Sequence, residues 1–131
     1  MRGGAPSKQG LEALKHLGVK HIVDLRIERK GQKEEDDAAR ALGLKRTRIP
    51  MGREAPTAAQ EKLFLQIIRN AFNEPLFIHC QHGADRTGAM IGIYRVLDCH
   101  WTFDQAYAEM RKYGFKTFLS ELKDAVRKRA L

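Results

Sequence analysis

His79-Cys80-Gln81-His82-Gly83-Ala84-Asp85-Arg86-Thr87-Gly88 is the stretch whose reading decides this chain. It follows the short apolar run Leu76-Phe77-Ile78, which has the pattern of a strand buried on both faces of a parallel sheet. After it, Thr87 to Leu97 reads as a helix carrying Met90, Ile91, Ile93, Tyr94 and Leu97 as core contacts. The quoted residues therefore form a loop at the carboxyl end of a strand, the edge at which open α/β sheets bind ligands.

The residue types in that loop suit a phosphate group. Amides from Gln81, His82, Gly83, Ala84, Asp85 and Arg86 can turn inward as a cradle, and the following helix adds its positive end. Gly83 eases the wrapping. Arg86 can fold its planar fork over the cradle and bind two oxygens at once, which a lysine cannot do. Cys80 then lies at the floor. A free thiol titrates near pH 8.5, but amides, a helix N-terminus and a guanidinium all favour the thiolate, so the pocket makes its own nucleophile. By strand alternation His79 points away from the cradle, a place from which it orients the backbone and the thiolate rather than transferring a proton. The Thr87 hydroxyl is placed to stabilise the sulfur as a leaving group. Gly88 lets the helix begin close to the loop.

A lone cysteine at a strand end is commonly just buried, but chance would also have to supply the arginine, the threonine and two glycines at these offsets. A zinc reading of His79, Cys80 and His82 lacks a second ligand pair, since His16, His21, His100 and Cys99 show no such spacing. No metal and no cofactor is expected. A Walker-type glycine loop is also missing from the sequence.

Residues 79 to 88 resemble the signature of the protein tyrosine and dual-specificity phosphatase superfamily. The rest is most similar to small bacterial dual-specificity-like phosphatases, from Arg2-Gly3-Gly4-Ala5-Pro6-Ser7 through Ile22-Val23-Asp24-Leu25-Arg26 to Tyr107 and Phe115. The resemblance implies one α/β domain over residues 1–131, with a mostly parallel sheet of about four to five strands and helices on both faces. It also implies one more strand before Arg2, or a removed leader. The implied activity is metal-independent phosphomonoester hydrolysis through a phosphocysteine, on a phosphorylated protein or a phosphoinositide. The alternative is a catalytically weak phosphate-binding relative. Sulfur transfer of the rhodanese kind is a third option, but its shorter loop normally lacks the Arg-Thr-Gly ending.

One departure from the family pattern concerns the acid that protonates the leaving oxygen. Typical members supply an aspartate from a loop ahead of the cysteine. Here Pro50-Met51-Gly52-Arg53-Glu54-Ala55-Pro56 offers only Glu54. Asp85, inside the cradle, is the second candidate, a placement similar to that in myotubularin-like lipid phosphatases. Both stay open at this level. The resemblance puts Asp24 and Arg26 beside the site, where a structural salt bridge is the expected role.

The chain has 131 residues and a formal net charge of +8, which suits an anionic substrate. Its basic residues are dispersed, with no patterned patch for nucleic acid. No apolar run approaches the roughly 20 residues of a membrane span, and Met1 to Gly10 lacks the apolar core of a secretion signal. The two cysteines give no disulfide framework, and a Cys80–Cys99 bridge would block the nucleophile. A reducing, cytoplasmic setting is favoured, with a periplasmic one requiring a removed leader. Protection of Cys80 by Cys99 during oxidation stays open, though helical spacing puts Cys99 far along.

Local signals place the remaining elements. Ser7 caps a helix with Leu11, Leu14 and Leu17, which Gly18 stops; His21 to Arg26 reads as a buried strand. The acids Glu34-Glu35-Asp36-Asp37 read as solvated charges near a helix N-terminus, and Gly43 closes that helix. Leu44 to Ile49 reads as a strand whose alternating basic residues suggest an exposed face or edge. Thr57 opens a helix with Leu63, Phe64, Ile67, Ile68 and Ala71, and Pro75 ends it. Two last helices are expected at Thr102 to Arg111 and Thr117 to Arg129, with Trp101, Phe103 and Tyr107 in the core.

Overall fold

The structure, a computed structural model, describes residues 1–71 and 73–130. Four strands, β1 (Arg2–Gly3), β2 (His21–Arg26), β3 (Lys45–Met51) and β4 (Leu76–His79), form one sheet in the order β1-β4-β2-β3, every pairing parallel. Six helices accompany them: α1 (Lys8–His16), α2 (Gln32–Ala41), α3 (Ala58–Arg69), α4 (Asp85–Asp98), α5 (Phe103–Lys112) and α6 (Ser120–Arg129). Among the described residues, no helix is long and apolar enough to cross a membrane.

Strand alternation sorts the core into two layers. Ile22 and Phe77 join Leu11, Leu14, Ala39 and Leu44 under α1 and α2. Val23, Leu25, Leu76 and Ile78 face the other way, onto Phe64, Met90, Ile93, Met110, Phe115, Leu122 and Val126 from the remaining helices. The same parity carries Asp24 with Ile22, and His79 with Phe77, to the α2 side. Helix α4 is enclosed: Met90, Ile91, Ile93 and Val96 are buried, and a Cβ at Gly92 would stand 3.2 Å from Met110 and Val126. Trp101, Phe103 and Tyr107 are half-buried against this layer.

Helix starts follow their caps. The side chains of Ser7, Thr57 and Thr102 accept hydrogen bonds from the backbone N–H three residues on, and Thr57 and Thr102 complete capping boxes with Gln60 and Gln105. The last helix departs from expectation. It begins at Ser120 rather than Thr117, because Lys116 is pinned to Asp85 and the chain turns through Leu119 N–H to Lys116 O, 3.2 Å, first. The first strand is also different from the one expected before Arg2: Arg2–Gly3 itself pairs with Ile78 and His79.

Candidate active site

Strand β4 delivers Cys80 and α4 begins at Asp85, so residues 80–84 form the cradle between them. Helix α4 starts at Ala84 with no side-chain cap, which leaves its first amides for whatever lies in the loop. Cys80 is 2 % exposed. Burial pushes its thiol up, but the Thr87 hydroxyl, the amides of Thr87 and Gly83 and the Arg86 charge outweigh it, and the thiol is held below its ordinary value. Thr87 Oγ1 is buried without an oxygen or nitrogen partner, leaving the thiolate as its acceptor.

Glycine is required at position 83 for two reasons. Its φ is +74°, and a Cβ there would fall 2.3 Å from the carbonyl carbon of Gly3. Strand β1 and the residues after it brace the cradle from that side: Arg2 Nη2 donates to Gly83 O at 3.2 Å, and Ala5 N–H to Gln81 O at 3.1 Å. Gln81 and His82 are exposed at the mouth, and Ala84 is buried. Gly88 is less constrained than its sequence position suggests, since a Cβ would meet Arg2, Met110 and Phe115 only at ordinary contact distance.

Arg86 does not stand free. Its Nη1 donates to Glu28 Oε1 at 2.6 Å and to Met51 O at 3.2 Å, and its Nη2 donates to Glu28 Oε2 at 3.0 Å. The Arg86 hydrogen bonds bring the Glu28 carboxyl down to about 2. Glu28 was missed in sequence because only its position, two residues past β2 on the edge that bears the cradle, hinted at it.

The two acid candidates occupy other positions. Asp85 accepts from the Lys116 backbone N–H and from Lys116 Nζ, each at 3.0 Å, so both oxygens are engaged by the segment that follows α5. Glu54 is exposed, and its Oε2 curls to within 2.7 Å of where a Gly52 Cβ would stand.

Beneath the cradle lies a buried ionic cluster that corrects two expectations. Glu35 is not a solvated helix charge: it is buried, accepting from Arg26 Nη2 at 3.1 Å and Arg46 Nε at 2.8 Å, with His79 Nε2 at 2.9 Å. Arg46 lies on edge strand β3 yet its side chain turns inward, donating to Asp24 at 2.6 Å and to Gln32 Oε1. Asp24 and Arg26 pair directly, through Nη2 to Oδ2 at 2.9 Å. His79 is 0 % exposed, and its Nδ1 lies 3.0 Å from Cys80 O. Asp24, Glu35 and His79 converge closely enough to hold a cation. Their carboxylates already bond the Arg26 and Arg46 guanidiniums, so the donor set fits two internal cations rather than a metal.

Burial alone would raise Asp24, but the Arg26 hydrogen bonds and the His79 and Arg26 charges take it to about 2; Glu35 is lowered too, with burial opposed by His79 and Arg46. Both folded values lie below the unfolded ones. The cluster's stabilisation is therefore complete above pH 5 and drains away as pH falls from about 4 toward 2, with Asp24 contributing about 2 kcal/mol. Glu35→Ala strands two buried cations and should cost about 3–5 kcal/mol in urea unfolding at pH 7. Glu34→Ala, on the exposed face, should stay within about 0.5 kcal/mol.

Cys99 caps the far end of α4, a helix of 14 residues. That puts it about 20 Å from the cradle, so a protective disulfide with Cys80 would need the helix to unfold.

Comparison with known proteins agrees with this geometry. A family model described as a DSP-PTPase phosphatase fused to NAD+ kinase matches residues 1–128. The chain is 35 % identical over 99 residues to NAD kinase 2, chloroplastic, of Arabidopsis thaliana, covering 72 % of this chain and 10 % of that protein. It is 29 % identical over 118 residues to the dual specificity protein phosphatase TpbA of Pseudomonas aeruginosa, covering 87 % of this chain and 50 % of TpbA. It thus spans about a tenth of the kinase and half of TpbA. Among solved structures, the core catalytic domain of the PP-IP phosphatase SIW14 from S. cerevisiae superposes with a TM-score of 0.78 at 25 % identity, over 94 % of this chain and 77 % of that one. Matched almost end to end by that model and built around the same cysteine-and-arginine cradle, the chain belongs to the DSP-PTPase family of cysteine-dependent phosphatases found fused to NAD+ kinase.

Proposed function

We propose that the domain transfers a phosphoryl group in line from its substrate to Cys80 Sγ and then to water, releasing orthophosphate. In the first step the S–P bond forms as the P–O bond to the leaving group breaks. Loop amides and Arg86 hold the non-reacting oxygens. In the second step water attacks phosphorus, and the departing sulfur takes its hydrogen bond from Thr87. The observation that carries the reading is the Cys80 thiol held low at the floor of an uncapped helix N-terminus, with Arg86 beside it.

Substrate preference follows from the carboxylates. Glu28 is ionised on Arg86, Asp85 is paired with Lys116, and Glu54 lies in the solvent-facing loop. A leaving oxygen that departs readily as an anion suits such a site. A phosphate leaving from a diphosphate, with a second pKa near 6, or a phenol near 10, qualifies better than an aliphatic alcohol. We therefore assign phosphotyrosyl or diphosphate substrates, consistent with the printed activities of TpbA and of SIW14, an inositol diphosphatase in yeast. A phosphoinositide, also compatible with the family, would have to release an alcohol.

Comparing kcat/KM on para-nitrophenyl phosphate, a phosphotyrosine peptide, an inositol diphosphate and a phosphoserine peptide tests this. The phosphoserine peptide should lag by about 10²-fold or more. Equal rates would show a working acid and remove the assignment. Selective loss of phosphoserine turnover in Asp85→Asn or Glu54→Gln would identify that acid.

A further inference from the structure

We infer that Glu28 is a positioning residue which selects the edge of the Arg86 guanidinium that meets the phosphoryl group. The inference rests on the phosphatase reading above and adds to it a residue outside the cradle.

It follows from counting donors. A guanidinium has five N–H groups. Glu28 takes one from each terminal nitrogen of Arg86, and Met51 O takes the second from Nη1. What is left is Nε–H and one Nη2–H, adjacent and parallel, the side-on pair that bonds two oxygens of a phosphate at once. The same guanidinium hydrogen-bonds the Cys80 thiolate and favours it by charge, so the edge left open belongs to the cradle. A carboxylate imitating substrate would take the side-on edge. Glu28 instead takes the end of the fork, from outside: its side chain is 45 % exposed against 12 % for Arg86.

Glu28 is itself anchored. Gln32, the first residue of α2, donates through Nε2 to Glu28 O at 2.9 Å, while its Oε1 accepts from Arg46 of the buried cluster. Arg86 is therefore clamped between the β2–α2 loop, which is tied to the ionic cluster beneath Cys80, and the end of β3 at Met51. Asp24 and Glu35 are committed to Arg26 and Arg46, and Asp85 to Lys116. Among the described residues, Glu28 is the carboxylate that bonds Arg86.

Glu28→Gln, Glu28→Ala and Glu28→Asp test the assignment against wild type, with para-nitrophenyl phosphate kinetics, melting temperature, and binding of orthophosphate and orthovanadate by titration calorimetry. Vanadate on a cysteine thiolate adopts the five-coordinate geometry of the transition state, so it reports positioning that phosphate does not. Expected for Glu28→Gln is a loss of kcat and of vanadate affinity on the order of 10- to 100-fold, with KM, phosphate affinity and melting temperature little changed. Glu28→Asp should recover part of the loss and Glu28→Ala none of it. Unchanged or faster turnover with tighter phosphate binding would make Glu28 a competing latch and overturn the assignment. So would a lowered melting temperature with equal losses for both oxyanions, which would make its role structural. If wild type shows neither Cys80-dependent turnover nor vanadate binding, the phosphatase reading itself fails. An active wild type indifferent to Glu28 sinks this inference alone.

Discussion

Cys80→Ser removes turnover of para-nitrophenyl phosphate, by about 10⁴-fold or more, while orthophosphate still binds. A serine hydroxyl in the same place keeps the cradle's shape but stays protonated. The Thr87 hydroxyl and the Gly83 and Thr87 amides that hold a thiolate low cannot bring an alcohol near neutrality. Stopped assays with and without a chelator separate the rival chemistries. Turnover that survives in the serine variant would place the nucleophile elsewhere, and chelator-sensitive turnover would bring in a metal. A wild type that binds phosphate tightly and never turns over would be a binding module.

The second large effect belongs to Arg86→Lys, expected to lower kcat/KM on the order of 10²–10³-fold. Charge is conserved in this substitution, so a purely Coulombic role predicts little change. Three donations anchor the Arg86 fork to Glu28 and Met51, and an ammonium, being a point donor, cannot make them while also bonding two phosphate oxygens. Most of the loss should fall on kcat, because transition-state charge is what the fork meets. Near-normal activity in the lysine variant would reduce Arg86 to a background charge.

Legibility in sequence tracked the distance over which each role is set. The helix starts at Ser7, Thr57 and Thr102 were readable because a cap and its amide are three residues apart. Strand β4 and helix α4 were readable because apolar runs flank one compact loop. Glu35 was misread as solvated because its neighbours Glu34 and Asp37 are exposed; its partners come from β2, β3 and β4. Arg46 looked like an edge-strand charge and is one by topology, but α2 covers it. Asp85 looked free for catalysis until the segment after α5 folded onto it, bringing Lys116 from 31 residues away.

Within the ten residues from His79 to Gly88, nucleophile, cradle and guanidinium are neighbours in the chain, so covalent spacing alone settled which chemistry the loop can carry and which fold class presents it. Spacing along the chain could not settle who holds that loop in place. Glu28 reaches Arg86 across 58 residues, and Glu35 reaches His79 across 44. Those pairings exist only once two faces of a parallel sheet are covered and water is excluded. Burial then turns ordinary charges into obligatory partners, and which carboxylate meets which cation is decided by packing, not by pattern.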